Sequence, residues 1–193
     1  MIINEFFPVV VGVAENKDHK QEEKKLIKYC KKIKTKKPIG GENWIANIYN
    51  TSGTHNVHQD NTFLNINKFV QKQLNIYASK IGYQGRQISC TDSWFNIYKK
   101  HNYQEYHEHF PADISAVYFL TGDKTTGNLI FKSHEPVSTF QAYHPDNRYT
   151  WTIQSIEPNP GKLVLFKSNL LHKVTQNLTN NLRITLAYNF KVS

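Results

Sequence analysis

From Gln87 onward the chain divides into short runs rich in β-branched and aromatic residues: ISCTDSWFNIYK, ISAVYFL, GNLIFKS, YTWTIQSI, KLVLF and ITLAYNF. Gly, Pro, Asn and Asp turns separate them. Six such runs within about a hundred residues favour sheets over a helical bundle and lead to the expectation of a sandwich or barrel. The 11 Tyr and 11 Phe agree, because aromatic side chains suit a pleated, half-buried surface.

The first 85 residues read differently. EFFPVVVGV (5–13) has the character of a strand interrupted at Pro8, and a proline of this kind belongs on a sheet edge. DHKQEEKKLIKYCKKIK then carries helical periodicity, with Leu26, Ile27, Cys30 and Ile33 on one face and lysines over the remainder; Pro38, Gly40 and Gly41 are expected to stop it. A second helical pattern covers 62–81 and closes at Gly82. Helices collected ahead of a run of strands are expected to pack on one face of the sheet. The length of 193 residues suits one domain, 1–193, with 1–85 as helix-rich support and 86–193 as the β core.

Lys+Arg exceed Asp+Glu by 24 to 15, giving +9, nearly all of it from lysine. The densest basic stretch, KKLIKYCKKIKTKKP (24–38), keeps an apolar stripe, so its lysines read as the solvated face of a helix. No nucleic-acid motif accompanies them. No run approaches the ~18 apolar residues of a membrane span, and the opening MIINEFFPVVVGVAENKD is too acidic for a secretory signal. A soluble, cytoplasmic protein is expected, with Cys30 and Cys90 as reduced thiols.

Two histidines one residue apart precede a strand-like run in YHEHFPADISAVYFL (106–120). Side chains at i and i+2 of a strand leave the same face, which would aim His107 and His109 at one point. The stretch NPGKLVLFKSNLLHKVTQNLTNNLRITLAYNF (159–190) adds His172, in a loop or short strand, and Arg183, at the start of an apolar run. A guanidinium there needs an anionic partner to offset its desolvation. Alternation puts Thr185 on its face.

These stretches resemble the 2-oxoglutarate/Fe(II)-dependent oxygenases, and within them an uncharacterised branch with members in marine phages and bacteria. The resemblance rests on YHEHFPADISAVYFL, GNLIF, PGKLVLFKSNLLH, the spacing from His172 to Arg183 with R-x-T, and GGENWIANIY, and so spans most of 40–190. It implies a double-stranded β-helix, or jelly roll, of cupin-like shape. The activity implied is hydroxylation of an unidentified substrate, a protein side chain or small molecule, with succinate and CO2 as co-products. Where the superfamily's second ligand is Asp or Glu this chain has His109, and Ala116 stands where the branch often has Gly.

Such oxygenases need a facial set of three protein ligands so that three positions stay open. His107, His109 and His172 form that set, with Asp113 as a substitute for His109. Glu108 should face away on a strand. His58-x-Asp60 in HNVHQDN is a competing pair, but it precedes a helix, where an Asx cluster is ordinary capping chemistry. Arg183 fits a bidentate clamp for the far carboxylate of 2-oxoglutarate, with Thr185 as an added hydroxyl donor. Tyr98, in FNIYKKHNYQEYH, resembles a tyrosine that prolyl hydroxylases aim at this co-substrate. The competing readings are a non-catalytic jelly-roll module, for binding or for a phage structure, and a cupin-like metal enzyme without 2-oxoglutarate. Neither needs Arg183 inside the roll. A homodimer is left open.

Overall fold

The structure, a computed structural model, describes residues 1–2, 8–36, 45–134 and 152–193. Among them are β1 (Val11–Glu15), α1 (His19–Lys34), β2 (Tyr49–Asn50), α2 (Leu64–Lys80), β3 (Ile88–Tyr98), β4 (Gln104–His107), β5 (Ile114–Thr121), β6 (Leu129–Lys132), β7 (Ile153–Ile156), β8 (Lys162–Lys167), β9 (His172–Val174) and β10 (Arg183–Val192). The strands form a six-stranded sheet ordered β1-β8-β5-β10-β3-β2 and a four-stranded sheet ordered β4-β9-β6-β7. Every pairing is antiparallel. The two sheets face each other without closing into a barrel, giving the β-rich jelly roll expected from the sequence.

The period-2 alternation of β-strands sorts the larger sheet into two faces. Leu163, Leu165, Ala116, Tyr118, Leu120, Ile184, Leu186, Tyr188, Phe95 and Ile97 point outward, against Leu26 and Cys30 of α1 and Ile66, Val70, Leu74 and Tyr77 of α2. Tyr98, Phe119, Val164 and Phe166 point inward, against Leu129, Phe131 and Val174 of the smaller sheet. Because both faces are covered, ISAVYFL is apolar almost throughout. Fully burying a leucine such as Leu26 or Leu74 contributes about 1.5–3 kcal/mol. The helices are therefore fixed to the sheet on the side away from the interior.

The local signals explain the boundaries. α2 follows a short helical turn in which Asp60 Oδ1 accepts the Thr62 N–H at 2.8 Å. It ends at Gly82, whose φ of +93° is a left-handed conformation natural to glycine and lets the Tyr83 N–H return to Ala78 O. The N-terminal strand begins only at Val11, past Pro8, and runs on to Glu15 along the sheet edge. Residues 5–7 of EFFPVVVGV, the expected helix stop at Pro38, Gly40 and Gly41, residues 40–44 of GGENWIANIY and 149–151 of YTWTIQSI lie outside the described residues. Cys30 is buried and Cys90 half-buried, both unpaired, and burial pushes each thiol up to about 12. Among the described residues no helix is long and apolar enough to cross a membrane.

Candidate metal centre

Three imidazoles meet in the interior. β4 pairs antiparallel with β9 so that His107 stands directly opposite His172. His109 lies just beyond the end of β4, not within a strand as the same-face argument supposed. Backbone hydrogen bonds hold it instead: the His109 N–H donates to Ser168 O at 2.9 Å, and the Ser168 N–H to Asp113 O at 3.0 Å. One nitrogen from each ring can be chosen so that all three lie within 4.8 Å of one another, and this is the one such group among the described residues. The ring centroids are 4.2 Å apart for His107 and His172, 5.0 Å for His107 and His109, and 5.1 Å for His109 and His172.

The donor chemistry suits a divalent metal. The Nδ1 atoms of His107 and His172 each sit 2.8 Å from a backbone carbonyl, of Glu105 and Leu170 respectively. A carbonyl only accepts, so Nδ1 carries the proton and the lone pair is on Nε2, the tautomer that metal-bound histidines commonly show. Burial lowers all three pKa values, aided at His109 and His172 by repulsion from neighbouring histidines; His109 falls to about 3. The rings are therefore neutral at pH 7, as ligands must be. Aromatic neighbours hold them in place: Phe166 lies 4.7 Å from the His172 ring and Trp94 5.6 Å from that of His109.

Deeper along the inner face lies Arg183, fully buried at the start of β10 opposite Tyr98. Its guanidinium is held between the rings of Tyr98 and Phe119, with Cζ 5.1 Å from each centroid. Nη1 donates to Gly127 O at 2.6 Å. Gly127 has φ +93°, and a Cβ there would lie 2.2 Å from Thr175 O, so only glycine brings that carbonyl so close. Nε and Nη2 are buried without a partner. Burial lowers the Arg183 pKa to about 10, leaving it charged at pH 7. A buried cation with unmet N–H groups is costly unless an anion joins it.

Thr185 shares this face, with its Oγ1 accepting from Asn96 Nδ2 at 3.3 Å. The Tyr98 hydroxyl donates to Gln104 Oε1 at 2.8 Å, and burial raises its pKa to about 12. The structure thus brings His107, His109 and His172 together and places Arg183, Thr185 and Tyr98 along one inner face. Asp113 is turned elsewhere: its carboxylate accepts from the Val192 N–H at 2.8 Å and from Lys191 Nζ at 3.1 Å. His58 Nδ1 is 2.9 Å from Ser93 Oγ, while Asp60 caps a helical turn and accepts from Tyr29 Oη at 2.8 Å. Sequence reading missed Asn96, Gln104, Phe119 and Trp94, although counting back by twos from Tyr98 finds Asn96 and Trp94.

Comparison with known proteins follows the same lines. Residues 92–189 match a family model described as "Putative 2OG-Fe(II) oxygenase". No curated protein matches the chain. Among solved structures, a Pseudomonas putida prolyl-4-hydroxylase superposes with a TM-score of 0.66 at 13% identity, covering 95% of this chain and 92% of that one. The non-heme alpha ketoglutarate dependent epimerase SnoN from nogalamycin biosynthesis gives 0.67 at 9% identity, covering 95% and 78%. HygX from Streptomyces hygroscopicus, with nickel and 2-oxoglutarate bound, gives 0.63 at 9% identity, covering 95% and 83%. At these identities the likeness is one of fold.

Proposed function

The chain belongs to the family of 2OG-Fe(II) oxygenases, and from that premise we propose that it is a 2-oxoglutarate- and Fe(II)-dependent hydroxylase of an as yet unidentified substrate, releasing succinate and CO2. The observation that carries the reading is the pairing of two features in one interior: three neutral histidines and, deeper along the same face, a buried, under-bonded guanidinium. A non-catalytic jelly roll has no use for that cation, and a cupin-like enzyme without a 2-oxo acid has no carboxylate to give it. Assignment to the marine phage and bacterial branch rests on the sequence motifs alone.

In this reading His107, His109 and His172 hold the iron, and their backbone and aromatic neighbours fix the ring orientations. When bound, Fe(II) with 2-oxoglutarate and dioxygen supplies the oxidising power that couples decarboxylation to hydroxylation of a substrate C–H. Arg183 takes the far carboxylate of the co-substrate through Nε and Nη2, the two nitrogens with unmet hydrogen bonds, as a charge-assisted pair. Tyr98 and Phe119 keep the guanidinium plane fixed and exclude water from it. Thr185 adds a hydroxyl beside it. The N-terminal helices act as scaffold, since they pack on the opposite face of the larger sheet.

The test is succinate formation by the protein supplied with Fe(II), 2-oxoglutarate and oxygen but no second substrate. Slow turnover, absent in His172→Ala, is expected. A folded protein that forms no succinate would return the reading to the non-catalytic module.

A further inference from the structure

The inner face of the larger sheet continues past the histidines to a set of groups that neither metal nor co-substrate would use. Across β3 and β10 the inward pairs run Arg183 with Tyr98, Thr185 with Asn96, Ala187 with Trp94, and Asn189 with Asp92. Exposure rises along this path. Arg183 is fully buried and Trp94 is 6% exposed, whereas Asn189 and Asp92 are half-buried. The interior therefore opens at the Asn189 end, and the path passes His109 at Trp94.

Two donors stand there without partners of their own, beside an anion whose single hydrogen bond is long. Asn189 Oδ1 accepts from Ser115 Oγ at 2.9 Å, and Ser115 Oγ is 2.8 Å from Ser168 Oγ, with both serines buried. This anchors the amide, while among the described residues Asn189 Nδ2 and the Trp94 indole N–H make no hydrogen bond. The Asp92 carboxylate has one long contact, from Ser52 Oγ at 3.4 Å, and no salt bridge among the described residues. In a chain with 24 Lys+Arg and 15 Asp+Glu, this half-buried carboxylate has no lysine or arginine against it among the described residues; its titratable neighbours are the His58 imidazole and the Cys90 thiol.

We propose that Asp92, Trp94 and Asn189 bind the primary substrate, and that this substrate carries a protonated amine beside a hydrogen-bond acceptor, as an amino acid or amino alcohol does. The inference rests on the oxygenase reading and supplies its substrate class. The Asp92 carboxylate pairs with the amine. Asn189 Nδ2 and the Trp94 N–H donate to the acceptor. Because two residues along a strand span about 6.6 Å, an amine at Asp92 leaves a carbon several bonds away to face the histidines.

The experiment is ligand-observed NMR on the Zn(II)- and 2-oxoglutarate-loaded protein. The probes are L-leucine, L-lysine, L-proline and D-glucosamine, each beside its fully N-acetylated derivative. At least one free amine should bind, with its acetylated form bound 10-fold or more weakly. Asp92→Asn should weaken the free amine 10-fold or more, and Asn189→Ala several-fold, in variants whose thermal unfolding shows that they fold. The proposal is overturned if no free amine binds, if acetylation makes no difference, or if Asp92→Asn leaves binding unchanged. If Zn(II) and 2-oxoglutarate themselves fail to bind, the oxygenase reading falls, and amine binding by the metal-free protein then decides the Asp92 site separately.

Discussion

Replacing Arg183 separates binding from folding in a way few other substitutions can. In Arg183→Met the co-substrate carboxylate loses its desolvated partner. Truncating one member of such a pair typically costs about 2–5 kcal/mol, and ~1.4 kcal/mol is tenfold, so 2-oxoglutarate affinity should fall roughly 30-fold or more. Folding should respond little. The substitution loses the bond from Nη1 to Gly127 O and two ring contacts, the latter about 0.5–2 kcal/mol each. It also removes a fully buried charge whose Nε and Nη2 have no partner, each about 1–3 kcal/mol unfavourable. These effects oppose, and thermal unfolding without co-substrate should shift by only a few degrees. Arg183→Lys keeps the charge without the planar fork and should bind with intermediate affinity. Isothermal titration of 2-oxoglutarate into the Zn(II)-loaded variants, beside thermal melts, measures both quantities. Wild-type affinity in both variants would refute the clamp and move the co-substrate away from this strand.

Asp113→Ala should lower stability by about 1–2 kcal/mol through loss of the Val192 and Lys191 contacts, with Zn(II) stoichiometry unchanged. His109→Ala should instead reduce metal content, and the reverse pattern would make Asp113 the ligand. Acid should weaken the metal-free protein. Unfolded imidazoles take up protons near pH 6.5 while His109 resists to about 3, so the unfolded state binds more protons below pH 6.5. Stability is therefore whole above pH 6.5 and declines toward pH 3, by up to about 1.4 kcal/mol per pH unit for each histidine so shifted. Equal urea midpoints at pH 7.5 and 5.5 would contradict this. Lys31→Glu with Lys32→Glu should leave co-substrate turnover alone, because α1 packs on the outer face of the sheet; a collapse of succinate formation would connect that helix to the chemistry.

The strands with strong periodicity were legible to within a residue or two: ISAVYFL became Ile114–Thr121 and KLVLF became Lys162–Lys167. The amphipathic stripe of Leu26 and Cys30 likewise identified the buried face of α1. Short strands were harder. QEYH and HKV owe their strand state to pairing with each other and with β6, a long-range effect that no local pattern encodes. The same is true of His109, which reaches the other histidines through a loop tied to Ser168. Spacing brought the right residues together for a partly mistaken local reason. Asp113 could not be resolved by spacing at all, because its partners, Lys191 and Val192, are far away in sequence. The N-terminal segment contributes β1 and β2 to the larger sheet as well as two helices, so its strand pairings also had to await the fold.

The central claim is that one interior holds Fe(II) and a 2-oxo acid together. Anaerobic titration of the protein with Fe(II) and then 2-oxoglutarate tests it most directly, by following the weak visible charge-transfer band of Fe(II) chelated by a 2-oxo acid. The band should grow to saturation at one equivalent of iron, and be lost in His172→Ala. A well-folded protein that binds iron without developing the band, or binds no iron at all, would contradict the account.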